Sequence, residues 1–288
     1  MAYSRAMRIV PVPDPTHVEL FHPAGRAPIL VVCDHAGKLV PGGLDRLGIS
    51  EEALARHIGW DIGAADVTKH LALLLDAPAI LNHVSRLVID ANRRPGTPTS
   101  IPEISDGCIV PGNQGLDLEA VLDRVVRYFL PYHRAIARRI GRFRCAGIVP
   151  VLIAVHSFTP RLNGEDRPWQ IGVLWRGDRR LAGPVLEALR ARGDLVVGDN
   201  QPYSGLREFG FTVEFHAQRP RLPHVMLEIR QDEIDTPEKA RRLAGIVHAA
   251  LQGPLADPDL YRPFEGDNLD QPGGLISWRH ALRPPPTN

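Results

Sequence analysis

The run VPVLIAV at Val149–Val155 contains no polar side chain. A segment this short and uniformly apolar reads as a strand buried on both faces, because a one-sided strand would alternate with polar residues. Ile29–Val32 in APILVVC and His224–Ile229 in HVMLEIR repeat the pattern, the second interrupted by Glu228. Shorter strands are expected at Ala79–Val84, Gln170–Trp175 and Val196–Val197, with Arg86–Asp90 continuing as, or leading into, the strand after Ala79–Val84. Helical segments alternate with them. Ser50–Gly59 has Ser50 as N-cap and Glu51 and Glu52 in its first turn. Ile62–Leu75, Leu181–Arg192 and Pro237–Leu251 are also helical, and Asp117–Arg139 is a longer helix that Pro131 should kink or split. The alternation predicts an α/β fold of three layers, with a mostly parallel, mixed sheet and helices on both faces. Residues 94–115 are too rich in Pro, Gly, Ser and Asn for regular structure. A loop of that length inside a compact domain is often functional, and with a larger acyl or peptidyl substrate it would serve as a specificity lid.

The 288 residues carry a net charge of +1 with histidine neutral. Such a balance provides no long-range field for a polyanion, so nucleic acid is not an expected partner. Arg138, Arg139, Arg142 and Arg144 cluster locally. They predict the solvated face of a helix, with a homo-oligomer contact as the second reading. The three cysteines are Cys33, Cys108 and Cys145. They are too widely spaced for a disulfide framework or a Cys-x-x-Cys metal site, and a reducing cytoplasm is expected. No signal peptide is read at the N-terminus, and no apolar run approaches the roughly 20 residues that span a bilayer, so no membrane partner is expected. The expected organisation is an N-terminal extension over 1–27, one catalytic domain over 28–252 and a Pro-rich tail over 253–288.

In parallel sheets ligands bind at the carboxyl ends of the strands. Four such ends carry reactive side chains: Asp34 and His35, then Asp90, Asn92 and Arg93, then His156, and then Glu228 and Arg230. Neutral imidazole is the commonest metal ligand, and His35 and His156 both follow apolar strands. Catalytic zinc takes three N or O ligands from the protein. The first candidate for the third is Asp61 in HIGWDIG, with a helix N-cap as its rival role. Asp34, next to His35, would point to the opposite face of a strand. Arg86 and Arg93 are candidates to grip a substrate carboxylate, with Asn92 adding donors, and ion pairing with Asp90 is the alternative. Glu228 in an apolar strand is costly unless functional or paired with Arg230. Burial would raise its pKa toward the range of a general base. The chain has neither a phosphate-binding Gly-x-x-x-x-Gly-Lys-[Ser/Thr] loop nor a Gly-x-Gly-x-x-Gly after a strand. Ser157 lacks a nucleophile-elbow context, and Cys33 falls inside a strand, where a thiol is inert.

Taken in order, VVCDHAG, HIGWDIGA, SRLVIDANR, IPEISDG-x-x-VPGN, IAVHSF, NQPYSG and HVMLEIR resemble the N-formylglutamate amidohydrolase family from about residue 28 to 250. That family is distantly similar to zinc carboxypeptidases and aspartoacylases, which implies a phosphorylase/hydrolase-like (zinc-carboxypeptidase-like) fold. The resemblance implies His35 and His156 as metal ligands, Glu228 as the base that activates a metal-bound water, and Arg86 as a substrate-binding or oxyanion-stabilising group. It implies Asn92 and Arg93 as the carboxylate grip. The wider group pairs its first histidine with a glutamate three residues on; this chain has Lys38 there, which leaves Asp61 as the substitute. The implied cofactor is one divalent metal, zinc, and the implied partner is a small carboxylate-bearing substrate. Arg230, Asn200, Tyr203 and His216 are further candidates to line the substrate pocket, with turn formation or packing as the alternative for the last three. The expected activity is hydrolysis of a small N-acyl amino acid such as N-formyl-L-glutamate. The alternatives are a peptidase or deacylase for a larger acyl group, and an inactive module that binds acidic ligands.

Overall fold

The apolar runs become the centre of a seven-stranded sheet. A computed structural model describes residues 17–205 and 210–266. The Pro-rich segments 11–15 and 283–288 lie outside the described residues. The strands are β1 (Val18–Phe21), β2 (Ile29–Cys33), β3 (Ala79–Asn82), β4 (Val151–Phe158), β5 (Ile171–Leu174), β6 (Val197–Asp199) and β7 (His224–Arg230). Their order is β1-β3-β2-β4-β7-β5-β6. Strands β3, β2, β4 and β7 run parallel. At the edges β1 is antiparallel to β3, and β5 and β6 run together against β7. The sheet is therefore mixed, with a parallel centre.

Helices α1 (Glu51–Ala55), α2 (Ala64–Leu74), α3 (Leu118–Arg124), α4 (Leu130–Cys145), α5 (Ala182–Ala191), α6 (Phe211–Val213) and α7 (Pro237–Ala256) make the outer layers and connections. Strand alternation sorts the core into two layers. Val31, Ile153, Val155, Val225 and Leu227 face α2, α5 and α7 through Val67, Leu71, Val185, Leu189, Leu243 and Val247. Leu30, Val32, Leu152, Ala154 and Met226 face α4 through Tyr132, Ile136 and Ile140, with Val213 and Ala217 beside them. Leu152 is 1% exposed. Cutting such a side chain back to alanine costs about 2–5 kcal/mol, because transfer and cavity terms add.

Several expectations are corrected. Val18–Phe21, assigned to an N-terminal extension, pairs with β3 as an edge strand. Residues 86–90 form a turn and not a strand. The helix near 117–145 is split in the turn just before Pro131, as expected of a residue that follows helical backbone and has no N–H to give it. The interruption is a π-turn at Val125–Phe129. The last helix runs five residues past its expected end, to Ala256, with Pro254 inside its final turn. The loop 94–115 holds a small hairpin (Ile104–Ser105 with Cys108–Ile109) and a 3₁₀ turn (Pro111–Asn113). Arg138, Arg142 and Arg144 are exposed, as a solvated helix face requires. Among the described residues no helix is long and apolar enough to cross a membrane.

Candidate active site

Alternation along the central strands also places the polar residues. On β4 His156 follows Leu152 and Ala154 in phase, and on β7 Glu228 follows Met226. The register sets Glu228 beside His156. Strand β4 continues to Phe158, so His156 lies within the strand and not after it. Asp34, one residue past β2, keeps the phase of Leu30 and Val32 and reaches the same face.

His35 lies in the turn after β2, and its carbonyl accepts from the Asp61 N–H at 3.0 Å. This bond ties the segment before α2 to the end of the sheet. Gly63 occupies the N-cap position of α2, so Asp61 is not a cap. Its Oδ2 instead lies 3.3 Å from His35 Nδ1 and 2.9 Å from His156 Nδ1, and accepts from Ser157 N at 3.3 Å. The outer ring nitrogens meet two more carboxylates: His35 Nε2 is 2.8 Å from Asp90 Oδ1, and His156 Nε2 is 3.0 Å from Asp34 Oδ2. All five side chains are buried.

The carboxylates are held in turn. Arg86 donates Nε and Nη2 to Asp90 Oδ2 at 3.0 and 2.7 Å, and Nη1 to Asp61 Oδ1 at 3.4 Å. Asn92 N donates to Asp90 Oδ1 at 2.8 Å. Thr212 Oγ1 donates to Asp34 Oδ1 at 2.7 Å, and Thr212 N to Asn92 Oδ1 at 3.0 Å. Gly210 makes that approach possible. Its φ is +50°, and a Cβ there would stand 2.5 Å from Asn92 Nδ2 and 2.6 Å from Oδ1.

The charges test whether a metal fits. Burial raises the carboxyls of Asp61 and Asp90, but the histidines and Arg86 outweigh it and hold both far below their ordinary range. Burial lowers His35 and His156, yet the facing carboxylates drive both upward, His156 strongly. Both nitrogens of each ring face carboxylate oxygens, which favours the protonated ring when no metal is held. The two Nδ1 protons then carry the charge that one divalent cation would bring, against Asp34, Asp61 and Asp90 with Arg86. Ligand atoms about 2.0–2.1 Å from a tetrahedral ion stand about 3.3 Å apart. The contacts of Asp61 Oδ2 with the two Nδ1 atoms are of that size. His35, Asp61 and His156 form a three-ligand group able to hold a metal, and Asp90 and Asp34 fix the imidazoles through their far nitrogens.

Glu228 stands beside this group, 6% exposed, with Oε2 lacking a hydrogen-bond partner among the described residues. Burial pushes its carboxyl up to about 7, against the lowering charge of His156. Tyr203 lies within electrostatic reach of both Glu228 and Arg86. Arg93 is half-buried and its one hydrogen bond goes to the carbonyl of Asn92 at 3.5 Å.

Three expected pocket residues sit elsewhere. Arg230 does not pair with Glu228; it binds Asp232 through Nε and Nη2 and the carbonyls of Arg167 and Pro168 through Nη1. Asn200 adopts φ +52° and accepts from Trp175 N and Gly205 N, a turn role. His216 is buried in a π-turn against His133, with Nε2 3.0 Å from His133 Nδ1. Cys33 is buried, and burial together with the charges of Asp61 and Asp34 raises its thiol well above the ordinary value, so it is no nucleophile. Sequence reasoning missed the orienting roles of Asp34 and Asp90 and the strap at Thr212. The first two had a signal: each carboxylate sits at the end of a strand or at the adjoining turn, one or two residues from a candidate ligand or anchor.

The model of the N-formylglutamate amidohydrolase family matches residues 27–234. Comparison with curated proteins finds no match. Among solved structures, a gene product of Agrobacterium tumefaciens is 32% identical, with a TM-score of 0.80 over 84% of this chain and 96% of that one. An N-formylglutamate amidohydrolase from Ralstonia eutropha JMP134 is 19% identical, with a TM-score of 0.60 over 84% and 97%, a likeness of fold. The matched span holds the central strands, both histidines, Asp61 and Glu228, and the chain belongs to the N-formylglutamate amidohydrolase family, hydrolases of C–N bonds other than peptide bonds.

Proposed function

We propose that this protein is a metal-dependent amidohydrolase that removes the acyl group from a small N-acyl amino acid, with N-formyl-L-glutamate as the first candidate. The observation that carries the reading is an unpartnered, buried Glu228 beside the group of His35, Asp61 and His156. Two nitrogen donors and one carboxylate suit zinc better than magnesium or calcium, which prefer all-oxygen sites. A divalent cation held there supplies a Lewis acid that polarises water or the amide carbonyl.

The chain's own residues do the rest. Glu228, its buried Oε2 engaged by no hydrogen bond among the described residues and its carboxyl raised to about 7, takes a proton from the attacking water and returns it to the leaving amine nitrogen. Asp90 holds Arg86 by two N–H groups, and the partly exposed guanidinium stands ready for the developing oxyanion. Arg93 and Asn92 hold a substrate carboxylate and orient the scissile amide. A role limited to binding acidic ligands would leave an uncompensated buried glutamate without purpose, at a cost of about 3 kcal/mol above neutral pH.

The test compares the metal content of wild type with a His35→Ala/His156→Ala variant, and assays both for amine release from N-formyl-L-glutamate. Near-stoichiometric zinc and turnover in wild type, both lost in the variant, are expected. Negligible metal in both proteins after zinc reconstitution refutes the metallohydrolase reading. Metal without turnover moves the substrate to another N-acyl amino acid or a peptide.

A further inference from the structure

Arg167 joins a small hairpin (Arg161–Leu162 with Glu165–Asp166) to β5. Its N–H donates to Pro160 O at 2.8 Å, and its carbonyl accepts from Arg230 Nη1 at 3.3 Å, so its backbone is fixed on both sides. Its guanidinium lies 5.0 Å from the Tyr203 ring centroid and 5.8 Å from that of Phe158, and Nη1 donates to the Tyr203 hydroxyl at 3.0 Å. Phe158 is two residues beyond His156 on β4, and Tyr203 is the residue that senses Glu228 and Arg86. Arg167 also acts electrostatically on His57, as Arg86 does. It therefore stands on the side of the sheet where His156 and Tyr203 lie.

Two neighbouring arginines, Arg86 and Arg230, differ from it in one respect. Arg86 is occupied by Asp90, and Arg230 by Asp232 and Glu233. Among the described residues Arg167 has no carboxylate partner, and its side chain makes one hydrogen bond. A guanidinium has five N–H donors, so most of its fork is open. Aromatic faces hold the plane without using those donors, which lowers the entropy cost of binding a planar anion. The negative charge of Glu228 would otherwise repel an acidic substrate, and Arg167 is a nearby positive charge that no carboxylate among the described residues cancels.

We propose that Arg167, held by Phe158 and Tyr203, is a specificity-determining residue that binds a second carboxylate of the substrate, so that the site selects N-acyl amino acids with an acidic side chain over neutral ones. The assignment rests on the amidohydrolase reading, with Arg93 and Asn92 taking the first carboxylate.

The experiment compares wild type with Arg167→Gln, Arg167→Lys and Tyr203→Phe, all as metal-loaded full-length protein. The two substrates are N-formyl-L-glutamate and the neutral isostere N-formyl-L-glutamine. Binding of glutarate, which has no scissile amide, is measured beside binding of butyrate. In Arg167→Gln, KM for the glutamate substrate should rise about ten- to hundredfold, the loss of one charge-assisted pair, with kcat and the glutamine substrate unaffected. Glutarate affinity should fall by the same factor and butyrate affinity should not, and Arg167→Lys should recover part of both losses. Equal losses on both substrates, or an unchanged preference for glutamate, overturn the proposal even when turnover is intact. Should wild type turn over neither substrate, the glutarate titration decides alone. Glutarate binding that depends on Arg167 then supports the assignment while the amidohydrolase reading falls, and glutarate bound no better than butyrate overturns it.

Discussion

Replacing Glu228 by glutamine should make the metal-free protein more stable at alkaline pH while removing its activity. The Glu228 carboxyl titrates near 7 in the fold against an ordinary value of 4.5, because burial disfavours the anion. Its folded pKa is raised, so the folded state binds the extra proton between those values, and stability falls as pH rises through that window. From pH 5 to pH 8 the wild type should lose about 2.5 kcal/mol through this one group, at about 1.4 kcal/mol per pH unit where the proton difference is complete. The amide of the Glu228→Gln variant cannot ionise and loses nothing by this route. Titrating groups remote from Glu228 are common to both proteins and cancel in the comparison. The assay is denaturant unfolding at pH 5 and pH 8 in the presence of a chelator. The variant should gain about 2.5 kcal/mol on the wild type between the two, or roughly 5 °C in Tm for a domain of this size. Its turnover with metal restored should fall by at least about a hundredfold, the usual loss of a general base. A gap that does not change with pH means that Glu228 is not a buried, unpaired acid, and the argument for it as the base then fails.

Two further outcomes follow from the site and its support. Asp34→Asn leaves the ligands in place but weakens the hold on His156 Nε2, and should lower zinc affinity about ten- to hundredfold in a chelator competition; unchanged affinity refutes the orienting role. Burial lowers His133 to about 4, and burial with the charge of His133 lowers His216 to about 3, so the stability they support is present above pH 6.5 and lost as pH falls toward 4. Between pH 6.5 and 5 the wild type should lose about 1.5 kcal/mol per histidine, and His216→Asn should flatten that slope in urea titrations; parallel slopes refute it.

Apolar runs such as Val149–Val155 and His224–Ile229 could be placed from sequence because a strand buried on both faces has no other composition, and the alternating helices made the layered fold readable. His35, Asp61, His156 and Glu228 were nameable because each interrupts an apolar run or sits at its end, where a polar side chain needs a reason. What such local patterns cannot encode is which partner a side chain finds across the sheet. Arg230 follows Glu228 by two residues and looked like its ion-pair partner, yet its fork turns to Asp232 and the carbonyls of Arg167 and Pro168. His216 looked like a pocket residue and is packed against His133, 83 positions away in sequence. Thr212 reaches Asp34 across 178 positions, and Arg167 meets Tyr203 across 36. The chain by itself determined the strands, the layers and the kinds of group at the strand ends, because those depend on local burial patterns. Only the tertiary structure decided that Asp61 joins the two imidazoles and does not cap a helix, that Asp34 and Asp90 orient them, and that Arg167 meets no carboxylate among the described residues. Those outcomes depend on strand order and register, which bring together side chains that no spacing along the chain relates.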